Sequence, residues 1–276
     1  MRVALAQVAP GLGDLEGNLE RAAAAIAAAA GQEADVVVFP ELALSGYAFA
    51  PGEIATAIAP ADPRLAALAP AGGPAVVLGL HEAAADGSTF DSAAWLEDGA
   101  VRHVQRKLYL PTYGRFDEGR RFRPGTSLAG LETRHGRAAM LVCNDAWQPV
   151  VPWLAAQAGA RVLYVVAASG RSLPGEAIDI PGTWDDLLRA AARLLQVVVV
   201  FVNRVGEEAG FRYWGSSRVL GPLGEEIARA PADEEALVLA DVDLGAVDAA
   251  RAEMPLGGEG RHELVASVLA GLQPRL

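Results

Sequence analysis

The feature that most constrains this chain is a series of short, nearly unbroken apolar runs rich in valine. Val3 to Val8, Val36 to Phe39, Ala75 to Leu80, Ala138 to Val142, Val162 to Ala167 and Val197 to Val202 are each of strand length. A strand with one face in water alternates apolar and polar residues. These runs do not, so each predicts a strand buried on both faces. Such strands need covering layers, and helical patterns supply them. Leu15 to Ala30 carries Leu15, Leu19 and Ile26 on one side. Val150 to Ala158 and Thr183 to Leu195 behave similarly, with Thr183 as the expected N-cap before Asp185 and Asp186. Two segments read as hairpins. Phe90 to Leu96 and Val101 to Gln105 flank residues 97–100, and Phe211 to Leu220 and Glu226 to Ala230 flank Gly221-Pro222-Leu223-Gly224. Buried strands, crossover helices and hairpins imply an α/β fold with mixed sheets. No low-complexity linker, fixed-period repeat or charge run marks a boundary, so residues 1–276 read as a single domain.

Composition narrows the class of partner. Hydrophobic residues make up 52% and charged residues 21%, which excludes a disordered chain. Lys+Arg 23 against Asp+Glu 34 gives a net charge of −11, which argues against nucleic-acid or anionic-membrane partners. Apolar runs such as Ala22 to Ala30 reach about half of the ~18 residues a membrane span requires. The opening MRVALAQVAP reads as a first strand rather than a leader, and one cysteine favours a reducing compartment. The expectation is a soluble cytoplasmic protein. One count is sharper. The chain holds a single lysine, Lys107, so the other 23 − 1 = 22 basic residues are arginine. A lysine that survives such a bias marks a place where a compact ammonium serves and a planar guanidinium does not.

Most familiar chemical motifs are absent. Gly11-Leu12-Gly13 begins like a dinucleotide loop, but Glu16 stands where the third glycine belongs, and no Gly-Lys-Ser/Thr exists. His81, His103, His135 and His262 are far apart in sequence, and Ala266 replaces the second histidine of the zinc motif that His262-Glu263 would open. No metal or organic cofactor is expected. There is no Gly-x-Ser-x-Gly elbow. What remains is Cys143, at the end of the apolar run Ala138 to Val142 and shortly before a helix expected near Pro149. A thiol at a strand end beside a helix N-terminus is expected to favour the thiolate. No histidine carries the flanking signature of a cysteine protease, so the base it needs is expected to be a carboxylate. Glu41, after the run Val36 to Phe39, and Glu118, in the loop after Tyr113, are the candidates. Strand C-termini are where open α/β sheets place their sites.

Three blocks carry a resemblance to the nitrilase superfamily of carbon–nitrogen hydrolases. They are Phe39-Pro40-Glu41-Leu42-Ala43-Leu44-Ser45-Gly46-Tyr47, Arg106-Lys107-Leu108-Tyr109-Leu110-Pro111 and Leu141-Val142-Cys143-Asn144-Asp145. The resemblance implies a four-layer α-β-β-α sandwich with two mixed sheets. It also implies a catalytic triad of Glu41, Lys107 and Cys143, with Glu118 as a fourth carboxylate. The lone lysine and the lone cysteine both fall on that triad. Tyr47, Tyr113, Asn144, Trp147 and Arg171 are the expected substrate-binding residues. The implied activity is an amidase acting on a small linear carboxamide; a nitrilase or N-carbamoyl hydrolase on the same triad, and an idle metabolite- or partner-binding scaffold, are the alternatives. The resemblance further implies a homodimer or higher homo-oligomer joined through the helix that carries Trp153.

Overall fold

The computed structural model describes residues 1–48, 55–114, 116–172 and 177–272. The strands are β1 (Arg2–Gln7), β2 (Val36–Val38), β3 (Ala75–Ala83), β4 (Thr89–Glu97), β5 (Ala100–Arg106), β6 (Leu131–Thr133), β7 (Gly136–Val142), β8 (Val162–Ala167), β9 (Val198–Asn203), β10 (Val205–Glu208), β11 (Phe211–Trp214), β12 (Arg218–Leu220), β13 (Glu226–Arg229) and β14 (Ala236–Asp241). The helices are α1 (Leu15–Ala30), α2 (Pro63–Ala67), α3 (Glu118–Arg121), α4 (Val150–Gln157), α5 (Ile180–Leu195), α6 (Gly245–Glu253) and α7 (His262–Gly271).

Two six-stranded sheets result, ordered β14-β1-β2-β3-β4-β5 and β13-β12-β9-β8-β7-β6. Each is mixed. β1, β2 and β3 are parallel, as are β7, β8 and β9, while the flanking strands run antiparallel. The absence of alternation in the valine-rich runs now has its reason: successive side chains enter two different cores. Val3 and Leu5 of β1 join Met140, Val142, Tyr164 and Val200 between the sheets, whereas Ala4 and Ala6 face α1. Leu163, Val165 and Phe201 likewise face α4 and α5 on the far side of the second sheet. Trp95 and Tyr164 meet across the inter-sheet core with ring centroids 5.6 Å apart. The layers are therefore α-β-β-α.

Local chemistry explains the boundaries. α1 spans the expected residues and starts where the Asp14 carboxylate accepts the Gly17 N–H. The β4–β5 hairpin turns through Asp98 and Gly99, both with positive φ, as a two-residue turn requires. Two expectations are corrected. α5 begins at Ile180 after Asp179, with Pro181 in its first turn, so Thr183 lies inside the helix and its hydroxyl donates to the Asp179 carbonyl at 2.7 Å. The run Phe211 to Leu220 is two strands. Gly215 and Ser216 both take positive φ and break it, so β11 pairs with β10 and only β12 pairs with β13. Among the described residues, no helix is long and apolar enough to cross a membrane.

Candidate active site

The C-terminal ends of β2, β5, β7 and β8 converge at one edge of the inter-sheet core. Glu41 lies just past β2, in a tight turn that presses against β3. A Cβ on Gly79 would come within 2.2 Å of the Pro40 carbonyl oxygen and 2.6 Å of the Glu41 Cα, so only glycine fits there. Lys107 follows β5 directly, and Cys143 follows β7 directly, with φ of +45°. A left-handed φ is strained for any residue but glycine, and such strain gathers at functional sites. The chain then makes a 3-10 turn over Cys143–Trp147 before α4, whose N-cap is Pro149. Asp145 ties these segments together. Its carboxylate accepts the Leu108 and Tyr109 N–H groups at 2.9 Å each and the Val142 N–H at 3.3 Å, which sets the Lys107 strand end against the Cys143 turn. Burial pushes that carboxyl up to about 6.

The Lys107 ammonium is fully buried and is the centre of the cluster. It donates to Glu41 Oε1 at 2.6 Å and to Glu118 Oε1 at 2.9 Å, stands 2.7 Å from Glu118 Oε2, and reaches Asp91 Oδ2 at 3.2 Å. Carboxylate oxygens of Glu41, Asp91 and Glu118 all lie within 4.8 Å of one another, and this ammonium is the cation on which they converge. Burial works against the lysine charge, yet Glu118, Glu41 and Asp91 hold its pKa well above the ordinary lysine value. Burial also pushes Glu41 up. The Lys107 charge, hydrogen bonds from Asp91 and Lys107, and the Ala168 N–H at 2.5 Å more than offset it and keep Glu41 below the usual carboxylate range. Glu118 is raised by burial, with Lys107 opposing, and accepts the Tyr47 hydroxyl at 2.6 Å.

Cys143 departs from expectation. Burial and the Glu41 and Glu118 charges push the thiol well above its ordinary value, and Lys107 only partly opposes them. Burial, with the Glu41 charge second, keeps the proton on the resting sulfur, against the expectation drawn from the adjacent helix N-terminus. Beside it opens a cavity of about 370 Å³, lined by Tyr47, Tyr113, Cys143, Asn144 and Trp147 among others. Tyr47 is buried, its N–H donating to Glu208 Oε1 at 2.7 Å. Tyr113 is 64% exposed at the rim and meets Phe116 edge-on. Trp147 packs edge-on against Trp184. Arg171 is the exception among the expected substrate-binding residues. It is not part of the lining, because its guanidinium is engaged by Asp233 at 2.7 Å while its N–H donates to the Arg212 carbonyl.

Two residues with clear places in the site were not anticipated from sequence. Asp91 is fully buried on β4, in phase with the inter-sheet residues Ala93 and Trp95. A carboxylate in a core phase is the signal that could have found it. Glu208, on β10, accepts the Tyr47 and Ala48 N–H groups and pairs with Arg204 at 3.0 Å. Nothing in its sequence surroundings points to a loop some 160 residues away.

Comparison with known proteins places the fold and the family. Residues 2–252 match the family described as Carbon-nitrogen hydrolase. A carbon-nitrogen hydrolase from Helicobacter pylori G27 superposes with a TM-score of 0.86 at 25% identity, covering 98% of both chains. A variant of the amidase from Nesterenkonia sp. AN1, carrying the acetamide moiety of fluoroacetamide on its active-site cysteine, superposes at 0.80 with 26% identity, covering 97% of this chain and 96% of that one. The glutamine-dependent NAD(+) synthetase of Thermotoga maritima is 31% identical over 250 residues, 88% of this chain but 42% of that protein. The chain thus spans less than half the length of that relative. A match across nearly the whole sequence, on the fold whose strand ends bring Glu41, Lys107 and Cys143 together, makes the chain a member of the carbon–nitrogen hydrolase family, within the nitrilase superfamily.

Proposed function

We propose that this protein is a cysteine-dependent amidase that releases ammonia from a small linear carboxamide through a thioester. The observation that carries the reading is the buried ammonium of Lys107, bridging Glu41 and Glu118 beside the cavity that Cys143 lines. Because the resting sulfur is a thiol, attack and deprotonation are coupled. As Cys143 Sγ adds to the amide carbon, its proton passes to Glu41, which is ionised and oriented by Lys107 and the Ala168 N–H. The carbonyl oxygen becomes an oxyanion facing the Lys107 ammonium and the Asn144 N–H, donors whose removal typically costs roughly 3 kcal/mol each. The C–N bond then breaks, the proton on Glu41 goes to the leaving nitrogen, and ammonia departs. Water, losing a proton to Glu41, attacks the thioester; collapse returns the proton to sulfur and frees the carboxylic acid. Glu118 touches Lys107 and Tyr47 and holds the ammonium in register.

The cavity supports an uncharged acyl group. Glu118 is the one charged side chain among the described lining residues, and Lys107 and Tyr47 already engage it. Glutamine hydrolysis is the second reading, favoured by the likeness to the Thermotoga maritima synthetase. Ammonia release is to be measured across short aliphatic amides, glutamine, nitriles and N-carbamoyl compounds, with Cys143→Ala as the blank. The expected result is the highest kcat/KM on an uncharged amide and loss of turnover in the blank. Turnover by the Cys143→Ala variant above about a tenth of wild type refutes the mechanism, since losing a nucleophile costs many orders of magnitude.

A further inference from the structure

Three buried carboxyl groups surround one ammonium. Were Glu41, Asp91 and Glu118 all ionised, the cluster would hold two uncompensated negative charges out of contact with water. Carboxylates that share a buried site retain a proton between them, and the donors available to each decide where it resides. Glu41 accepts from Lys107 at 2.6 Å and from the Ala168 N–H at 2.5 Å. Glu118 accepts the Tyr47 hydroxyl at 2.6 Å and sits against the ammonium through both oxygens. Asp91 has the longest contact to the ammonium, 3.2 Å, and its Oδ1 meets no donor among the described residues. Oxygens of Asp91 and Glu41 lie within 4.8 Å of one another around the same ammonium, so a proton left on Asp91 sits beside Glu41.

We propose that Asp91 is the positioning residue that keeps this proton and donates it to Glu41, holding the proposed general base ionised and aimed. The inference rests on the amidase reading for the role of Glu41. Asp91 meets Lys107 and stands beside Glu41, so it acts on the reacting atoms through those two groups. Its own main chain supports the same cluster, the Lys107 N–H donating to the Asp91 carbonyl at 2.8 Å. The titratable and charged groups around it are Glu41 after β2, Lys107 after β5, Glu118 in α3 and His81, its partner across the β3–β4 ladder, with Cys143 and Tyr47 completing the cluster. His81 is held neutral at pH 7 by burial, which lowers it to about 4. Burial and the Glu41 charge push the Asp91 carboxyl well above its usual value, in keeping with a retained proton.

The test compares wild type, Asp91→Asn and Asp91→Leu by the pH profile of kcat/KM on the best amide, and by infrared spectroscopy of the free enzyme. Asparagine is isosteric, neutral and a donor, so it is expected to retain kcat and leave the acidic limb, which reports Glu41, in place. Leucine removes the donor and is expected to move that limb up by about one pH unit, a tenfold loss of activity on the acid side. A protonated-carboxyl stretch present in wild type at neutral pH and missing in Asp91→Asn is expected. If Asp91 is ionised, both variants move the limb down, because each removes a negative charge beside Glu41; that result overturns the proposal. An unmoved limb in Asp91→Leu, or no protonated-carboxyl band in wild type, overturns it as well. The infrared result needs no substrate, so failure of the amidase reading is seen separately, as wild type that hydrolyses none of the amides.

Discussion

Replacing Lys107 by arginine keeps the charge and changes only its shape, which makes it the sharpest test of the cluster. The ammonium has carboxylate oxygens at 2.6, 2.7 and 3.2 Å on three sides and no exposed surface. A guanidinium adds a central carbon and two further nitrogens in a plane, and three carboxyls set around one nitrogen atom do not match that fork. The charge balance survives, so the large cost of stranding buried carboxylates, about 3–5 kcal/mol, is avoided. What remains is overpacking, about 1–3 kcal/mol. For a chain of this size each kcal/mol lowers Tm by about 2–4 °C. Activity should suffer more. Displacing one preorganised donor from the oxyanion is expected to lower kcat by at least ~10²-fold, about 2.7 kcal/mol in the barrier. The assay is kcat on the best amide and thermal unfolding for Lys107→Arg, with Arg123→Lys as the exchange at an exposed pair, its side chain 68% and that of Asp86 62% accessible. The control should be within experimental error in both. A folded Lys107→Arg enzyme with near-normal kcat would mean that the ammonium is an ordinary charge and the site assignment is wrong.

Further consequences can be measured. Gly79→Ala forces the Pro40–Leu42 backbone to move, and a shift near 1 Å at Glu41 is expected to cost roughly 10²-fold in kcat; unchanged kinetics would show that the turn tolerates the methyl group. His81, lowered to about 4 by burial, binds a proton in the unfolded chain that the folded protein refuses. Its contribution is therefore complete above about pH 6.5 and is lost as pH falls toward 4, a span worth about 3 kcal/mol. The urea midpoint should fall less between pH 7.5 and pH 5 in His81→Gln than in wild type, and an equal fall in both would refute the assignment. Val150 and Leu154 on α4 and Leu264, Val268 and Leu269 on α7 are exposed, and Trp153 of α4 meets His262 of α7 at 5.9 Å. These exposed apolar side chains on two adjoining helices are expected to join two copies. Light scattering at micromolar concentration should give twice 28.6 kDa, falling to one copy in Leu154→Arg, and a wild-type monomer contradicts the reading.

Much of the architecture was legible because its causes are local. A run such as Val162 to Ala167 has no polar phase to give to water, so it can only be a strand covered on both sides, and α1 begins and ends where Asp14 and Gly31 place it. The rarity of lysine and cysteine in this chain singled out Lys107 and Cys143 before any geometry was known. What the sequence left open depends on partners that are remote along the chain. The split of Phe211 to Leu220 follows from which strand lies opposite each half. Arg171 leaves the cavity because Asp233, 62 residues away, captures it. The protonation of Cys143 follows first from its burial and then from Glu41, Lys107 and Glu118 on three separate segments, and its direction opposes what the adjacent helix alone would predict. Asp91 reads in sequence as one polar residue in a β-strand; only the folding of the chain, which buries it against a second carboxyl and a shared ammonium, makes it part of the site. Backbone preference and apolar pattern act over a few residues and can be read in one dimension, whereas charge interactions in a desolvated site depend on distances that only the tertiary structure sets.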